Sequence, residues 1–256
     1  MKNTNEKNGM AATLRATVSV FNLLPQLAAM VAGVGILALF VGWRQTSAYF
    51  SELGASWIIP MVSSTELVKS SLSFFAFVTT IALVSIVMLL QGAATRRGLT
   101  WWSVIVYVVG AAFFATNLLP GDWVTPRTVN ACASVAGLLI ATSAALTIGE
   151  LIAHLAEKSA EWDRHSIYLG YFALVVGFLW APQMVGEAHA KLDGDFALSA
   201  LPIVALKDDT SGRSWRLLKS LDGSFLVVSL AAKKKDFVFR VVGADEVTEI
   251  RSSSTS

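Results

Sequence analysis

Residues 128–149 read TVNACASVAGLLIATSAALTIG, 22 positions without one Asp, Glu, Lys or Arg. Coiled into a helix at about 1.5 Å per residue, the stretch is about 33 Å long. That is enough to cross the hydrocarbon core of a bilayer, which takes about 20 mostly apolar residues. Four more runs of this kind lie at 16–43, 70–95, 98–121 and 165–186, and no other gap between charges exceeds 13 residues. The lengths fall into two separate classes, so the chain reads as an α-helical polytopic membrane protein with five transmembrane helices. Composition points the same way, with 54% hydrophobic residues, 15% charged ones and a mean hydropathy of +0.60, outside the usual makeup of a soluble domain.

The charges divide the chain into three parts. Residues 1–25 are a polar tail, with residues 12–24 a candidate interfacial helix. Residues 26–186 form the transmembrane domain, and residues 187–256 hold 10 basic and 10 acidic side chains against 10 and 8 in everything before them. The spans are expected near 26–43, 71–90, 101–119, 129–149 and 167–185. Trp43, Trp101, Trp102, Trp123 and Trp180 stand at or near their ends, where indole rings favour the headgroup boundary. Pro25 stands near a first helical turn, where its missing N–H costs little. The apolar run that follows Lys2, Lys7 and Arg15 is too long for a signal-peptide core and is read as a retained helix.

Orientation follows from Lys and Arg near the span ends. With the N-terminus in the cytoplasm, the inner side holds Lys2, Lys7, Arg15, Arg96, Arg97, Lys158 and Arg164, and the outer side only Arg44, Lys69 and Arg127. The positive-inside bias therefore places the N-terminus inside and the C-terminal part outside a bacterial inner (plasma) membrane. One miscounted span reverses that side. The segment 48–68 is the place to look, because Tyr49, Trp57 and Pro60 sit in a stretch too apolar for a solvated loop yet carrying Glu52 and Glu66. It reads either as an interfacial helix or as a re-entrant segment lining a pore.

Within the fourth run, Ala133, Gly137, Ala141, Ala145 and Gly149 recur every four residues, giving a smooth ridge along which another helix can approach closely. Gly33, on the first span, belongs to a similar set. The ridge serves either packing inside one bundle or an interface between copies of the chain. No acidic, basic or imidazole side chain falls inside the expected spans, which argues against an ion-coupled transporter. The fourth span is expected to continue into water through Glu150, His154, Glu157, Lys158 and Glu161. Their spacing places Glu150, His154, Glu157 and Glu161 near one face, which suits a solvated ion-paired surface better than a metal site, since no facing helix offers matching ligands. No metal or cofactor is expected, nor are nucleophile elbows, Walker loops or dinucleotide fingerprints found.

The C-terminal part changes period. Residues 201–207, 215–221, 224–231, 236–242 and 247–251 read as strands, and Asp222-Gly223 between two of them is a hairpin signal. Five strands in about 50 residues imply a small bent sheet or SH3-like barrel. In 224–231, Phe225 and Val227 point one way and Leu226, Val228 and Leu230 the other, so both faces of this strand are apolar. One face must dock on the bundle, a sister subunit or a partner. Trp215, Phe225, Phe237 and Phe239 are the candidate partner-binding residues.

These features suggest a non-enzymatic integral membrane interaction protein. It is expected to be a homo-oligomer in membrane lipid that displays the β domain to a protein partner, as a sensor, assembly, immunity or defence component. An oligomeric pore or channel is the alternative, and an intramembrane enzyme ranks last, because the spans offer only hydroxyls, amides and the single thiol of Cys132. Scattered basic residues give no nucleic-acid surface.

Overall fold

A computed structural model describes residues 32–116, 125–157, 163–196, 199–207, 209, 212–221, 223–231 and 234–252. The expected interfacial helix at 12–24, along with Pro25, Trp123, Lys158, Glu161 and Asp222, lies outside them. Helix α1 occupies 32–52, followed by α2 (Ser64–Leu90), α3 (Arg96–Ala115), α4 (Pro126–Glu157) and α5 (Arg164–Asp193). Ser63, Thr95 and Asp163 set the starts of α2, α3 and α5 by accepting the backbone N–H of Glu66, Gly98 and Ser166, which satisfies a donor the helix itself leaves open.

Among the described residues four helices, α2 to α5, are long and apolar enough to cross a membrane. Helix α1 shows only part of the charge-free run 16–43, and it continues past Trp43 to residue 52 rather than ending there. Burial separates the helices by role. Half of the apolar window of α4 is buried, against 22% in α2 and 17% in α3, so α4 is the axis and the others turn apolar surface outward, as lipid requires. Trp101, Trp102, Ile167, Tyr171 and Leu174 are among the exposed side chains.

Near its middle, α5 widens into a π-helical segment, Ala173–Trp180, closed by a bond from the Ala181 N–H to the Val176 carbonyl. Pro182 explains the position. It has no N–H to give the residue four back, and its ring crowds that carbonyl, so the preceding turn opens by one residue.

The sheet is antiparallel throughout, with β1 (Ile203–Leu206), β2 (Trp215–Leu221), β3 (Ser224–Ser229), β4 (Val238–Gly243) and β5 (Val247–Arg251) in the order β4-β3-β2-β1-β5. Strands β2 and β5 have the expected bounds, and the other three are shorter or shifted by one or two residues. Leu221 pairs with Ser224 across a two-residue connection whose Gly223 has φ 75°, a conformation that favours glycine. The two edge strands β4 and β5 are joined only by the 3-10 turn Ala244–Glu246. Strands spaced about 4.8 Å apart would put the edges of a flat sheet about 19 Å apart, beyond the reach of three residues. The sheet therefore rolls, around Val204, Trp215, Val227 and Val242.

Candidate functional site

Two regions concentrate the chemistry, one at each end of the bundle. At the first, α1 ends, α2 begins, α5 ends and the sheet docks. Phe50 of α1 and Ala55, Ile58 and Val62 of the α1–α2 connection join Leu221 and Leu226 from the sheet in one buried cluster. The connection is the 3-10 turn Ser56–Met61, with Ile58 inward at 0% exposure and Trp57 outward at 50%. Sheet cover accounts for the apolar composition of 48–68. Pro60 lies exposed on the same turn, and the Tyr49 hydroxyl donates to Asp193 Oδ2 at 2.7 Å, tying α1 to the end of α5. Lys234 pairs with Glu52 across the same junction.

Of the four aromatics picked out in the tail, Trp215 is buried in the sheet's own core, with its indole N–H donating to Asp209 Oδ2 at 2.7 Å. Phe225 packs beside that core and Phe239 against the junction, both half-buried. Phe237, also half-buried, stacks edge-on with Phe239. Leu226, whose two-faced strand was legible in the sequence, is the residue that docks.

The ridge of α4 is used inside the bundle. Ala133, Ala141 and Ala145 are buried. A Cβ at Gly137 would stand 3.0 Å from Val185, and one at Gly149 would stand 2.9 Å from the Ala82 carbonyl oxygen and collide with Ser85. Gly33 has open space around it.

At the opposite end, the expectation of a water-exposed α4 is corrected. Glu150 is 1% and His154 6% exposed, because α3 and the start of α5 cover the face these residues share. The Thr100 hydroxyl lies 2.9 Å from both Glu150 oxygens and 3.1 Å from the Arg96 carbonyl, so one proton serves three acceptors. His165 Nε2 stands 3.2 Å from Glu150 Oε1. Arg96 meets His154 Nδ1 at 3.0 Å, and Asp163 Oδ2 meets Nε2 at 3.1 Å. A guanidinium only donates, so Nδ1 is the acceptor and the ring proton sits on Nε2, donating to Asp163. The Asp163 carboxyl is held below the usual carboxylate range by the Ser166 N–H and hydroxyl, with His154 adding a smaller effect. Deeper between α3 and α4, the Ser103 hydroxyl meets Thr147 at 2.8 Å and Ser143 at 3.0 Å. A polar seam thus enters the bundle from this end.

Among the described residues no group of His, Cys, Asp and Glu is arranged to hold a metal. The sequence signal for the seam was the spacing of Glu150 and His154. What it lacked was the covering elements, which bring the Thr100 hydroxyl and the Arg96 guanidinium from α3 and, against the expectation that no facing helix offers such groups, the Asp163 carboxylate and the His165 imidazole from the start of α5. Thr100→Val leaves a buried carboxyl short of a donor, at a cost of about 1–3 kcal/mol. It is expected to lower thermal stability in detergent, and adding Glu150→Leu to recover most of the loss. A Thr100→Val protein that melts like wild type would show that Glu150 is satisfied by other groups.

Comparison with protein-family models, with curated proteins and with solved structures gave no match. The chemistry is therefore read from the geometry alone.

Proposed function

We propose that the chain is a non-enzymatic, five-span membrane interaction protein whose extracytoplasmic β domain and helical bundle act as one coupled body. The observation that carries this reading is the single buried cluster shared by Ile58 and Phe50 of the helical part with Leu226 and Leu221 of the sheet. A displacement of the sheet must repack the α1–α2 connection, and close-packed interiors transmit such shifts rather than absorb them. That suits a sensor or assembly component, in which binding outside is felt in the bundle. The partner contacts fall on the side chains the sheet leaves exposed, among them Ile203, Val241 and Ile250. The remaining span is the one expected at 26–43, whose described part, from residue 32, belongs to α1. Self-association falls on α1 around Gly33, because the α4 ridge is occupied within the bundle.

The experiment uses the full chain with Cys132→Ser and Ser214→Cys, Ser214 being exposed just ahead of β2. An impermeant maleimide is expected to label it in intact cells, and labelling only after lysis would reject the sidedness. A photo-crosslinking residue at Ile250 is expected to give a discrete adduct with a second protein in the same cells. Its absence, together with conductance of sealed liposomes carrying the purified protein, would replace this reading with the pore.

A further inference from the structure

Two cavities meet beneath the sheet. One, of about 410 Å³, lies between α1, the start of α2, the end of α5 and strand β2, and presents Thr46, Tyr49, Ser70, His189, Asp193 and Lys219. The other, of about 290 Å³, runs down the flank of the bundle along Ser73, Phe74, Phe77, Leu138 and Val185. Gln45 and His189 stand in both walls, so the polar chamber opens on the apolar groove. Leu138 is half exposed on that flank, between helices that are themselves of membrane-spanning length and apolarity.

The chamber's polar groups are not all accounted for. Gln45 Oε1 is buried with no hydrogen-bond partner among the described residues, a costly arrangement unless something fills the space. The carboxyl in the wall, Asp193, is engaged by the Tyr49 hydroxyl at 2.7 Å. Lys219 projects from β2, opposite Leu226 in register, and its ammonium hydrogen-bonds to no group among the described residues. Burial pushes its pKa below the ordinary lysine value, with the field of Glu66 opposing. A part-buried ammonium without a hydrogen-bond acceptor, in a chamber that shares Gln45 and His189 with an apolar groove on the bundle's flank, has the shape and charge of an amphiphile site.

We infer that chamber and groove form one site for a single anionic phospholipid, with the headgroup phosphate on Lys219 and an acyl chain along Phe74, Phe77 and Leu138. The bilayer supplies the ligand. This inference rests on the docked sheet, as the coupled-domain reading does, but its failure would leave the buried cluster of Ile58 and Leu226, and so that reading, standing.

The test is native mass spectrometry of the full chain in detergent with added phosphatidylglycerol or phosphatidylcholine. One phosphatidylglycerol is expected to stay bound, in preference to phosphatidylcholine. Lys219→Gln should weaken its retention about tenfold, the effect of losing one charge-assisted contact. Ser73→Trp, at an exposed position lining the groove, should displace the chain and weaken retention while leaving Lys219 in place. Glycerol phosphate, which carries the headgroup chemistry without the chain, should not compete. Equal retention of both lipids, no retention, or unchanged retention in Ser73→Trp would overturn the site. If Lys219→Gln fails to fold, the Ser73→Trp and glycerol phosphate results decide alone.

Discussion

Gly149→Leu should leave no folded bundle in detergent, seen as aggregation on size exclusion or loss of a cooperative melt. A side chain here has nowhere to go. Even its Cβ would run into Ser85 and stand 2.9 Å from the Ala82 carbonyl oxygen, and that oxygen accepts the Ser85 hydroxyl at 2.7 Å. The obstacle is thus partly backbone, which cannot rotate aside, and α2 would have to move away from α4. Overpacking a close-packed interior commonly costs about 1–3 kcal/mol where side chains can adjust; here the effect should lie beyond that range. Gly33→Leu is the control for the cooperative melt alone, since nothing in the same chain stands within 4 Å of Gly33, while its size on the column reads the self-association proposed there. Should Gly149→Leu match wild type in size and melting, α2 and α4 do not approach as described.

The second large effect belongs to the junction. Leu226 and Ile58 are each 0% exposed and share one cluster. Truncating either to alanine is expected to cost about 2–5 kcal/mol, from lost transfer energy and the cavity left behind. The double variant should cost less than the sum of the two, because once one side of the contact is gone the other has less to lose. Limited proteolysis supplies the structural readout, with cleavage between α5 and β1 rising in either single variant. Strict additivity, with no change in cleavage, would mean that the sheet folds on its own and merely hangs from α5. It would also remove the support for a coupled body.

Much of this architecture was legible in the sequence, and what was not has a physical reason. Charge-free runs mark helices α2 to α5 because lipid exposure excludes charge from whole segments, a property that needs no knowledge of neighbours. Strand periodicity and the Asp222-Gly223 turn gave the sheet for a similar reason. The burial of Glu150 and His154 was hidden, because past the charge-free run the face of α4 that meets protein is chosen by α3 and the start of α5. Thr100, Arg96 and Asp163 then supply partners that no spacing within α4 announces. The apolar 3-10 turn around Ile58 reads in the sequence as an interfacial or re-entrant segment, because its actual cover comes from Leu226, far along the chain. Pro182 inside a long apolar run was a visible signal for a disturbed α5, and the π-helical turn is how the chain accommodates it.

The distance along the chain between Ile58 and Leu226, about 170 residues, has a consequence for biosynthesis. At roughly 5–20 residues per second, a ribosome needs on the order of ten seconds or more to make the second after the first. Through that interval the early half of the contact stands bare at the membrane surface. A nascent chain of this protein therefore carries an adhesive spot until the strand bearing Leu226 emerges, and chains released before that point would keep it.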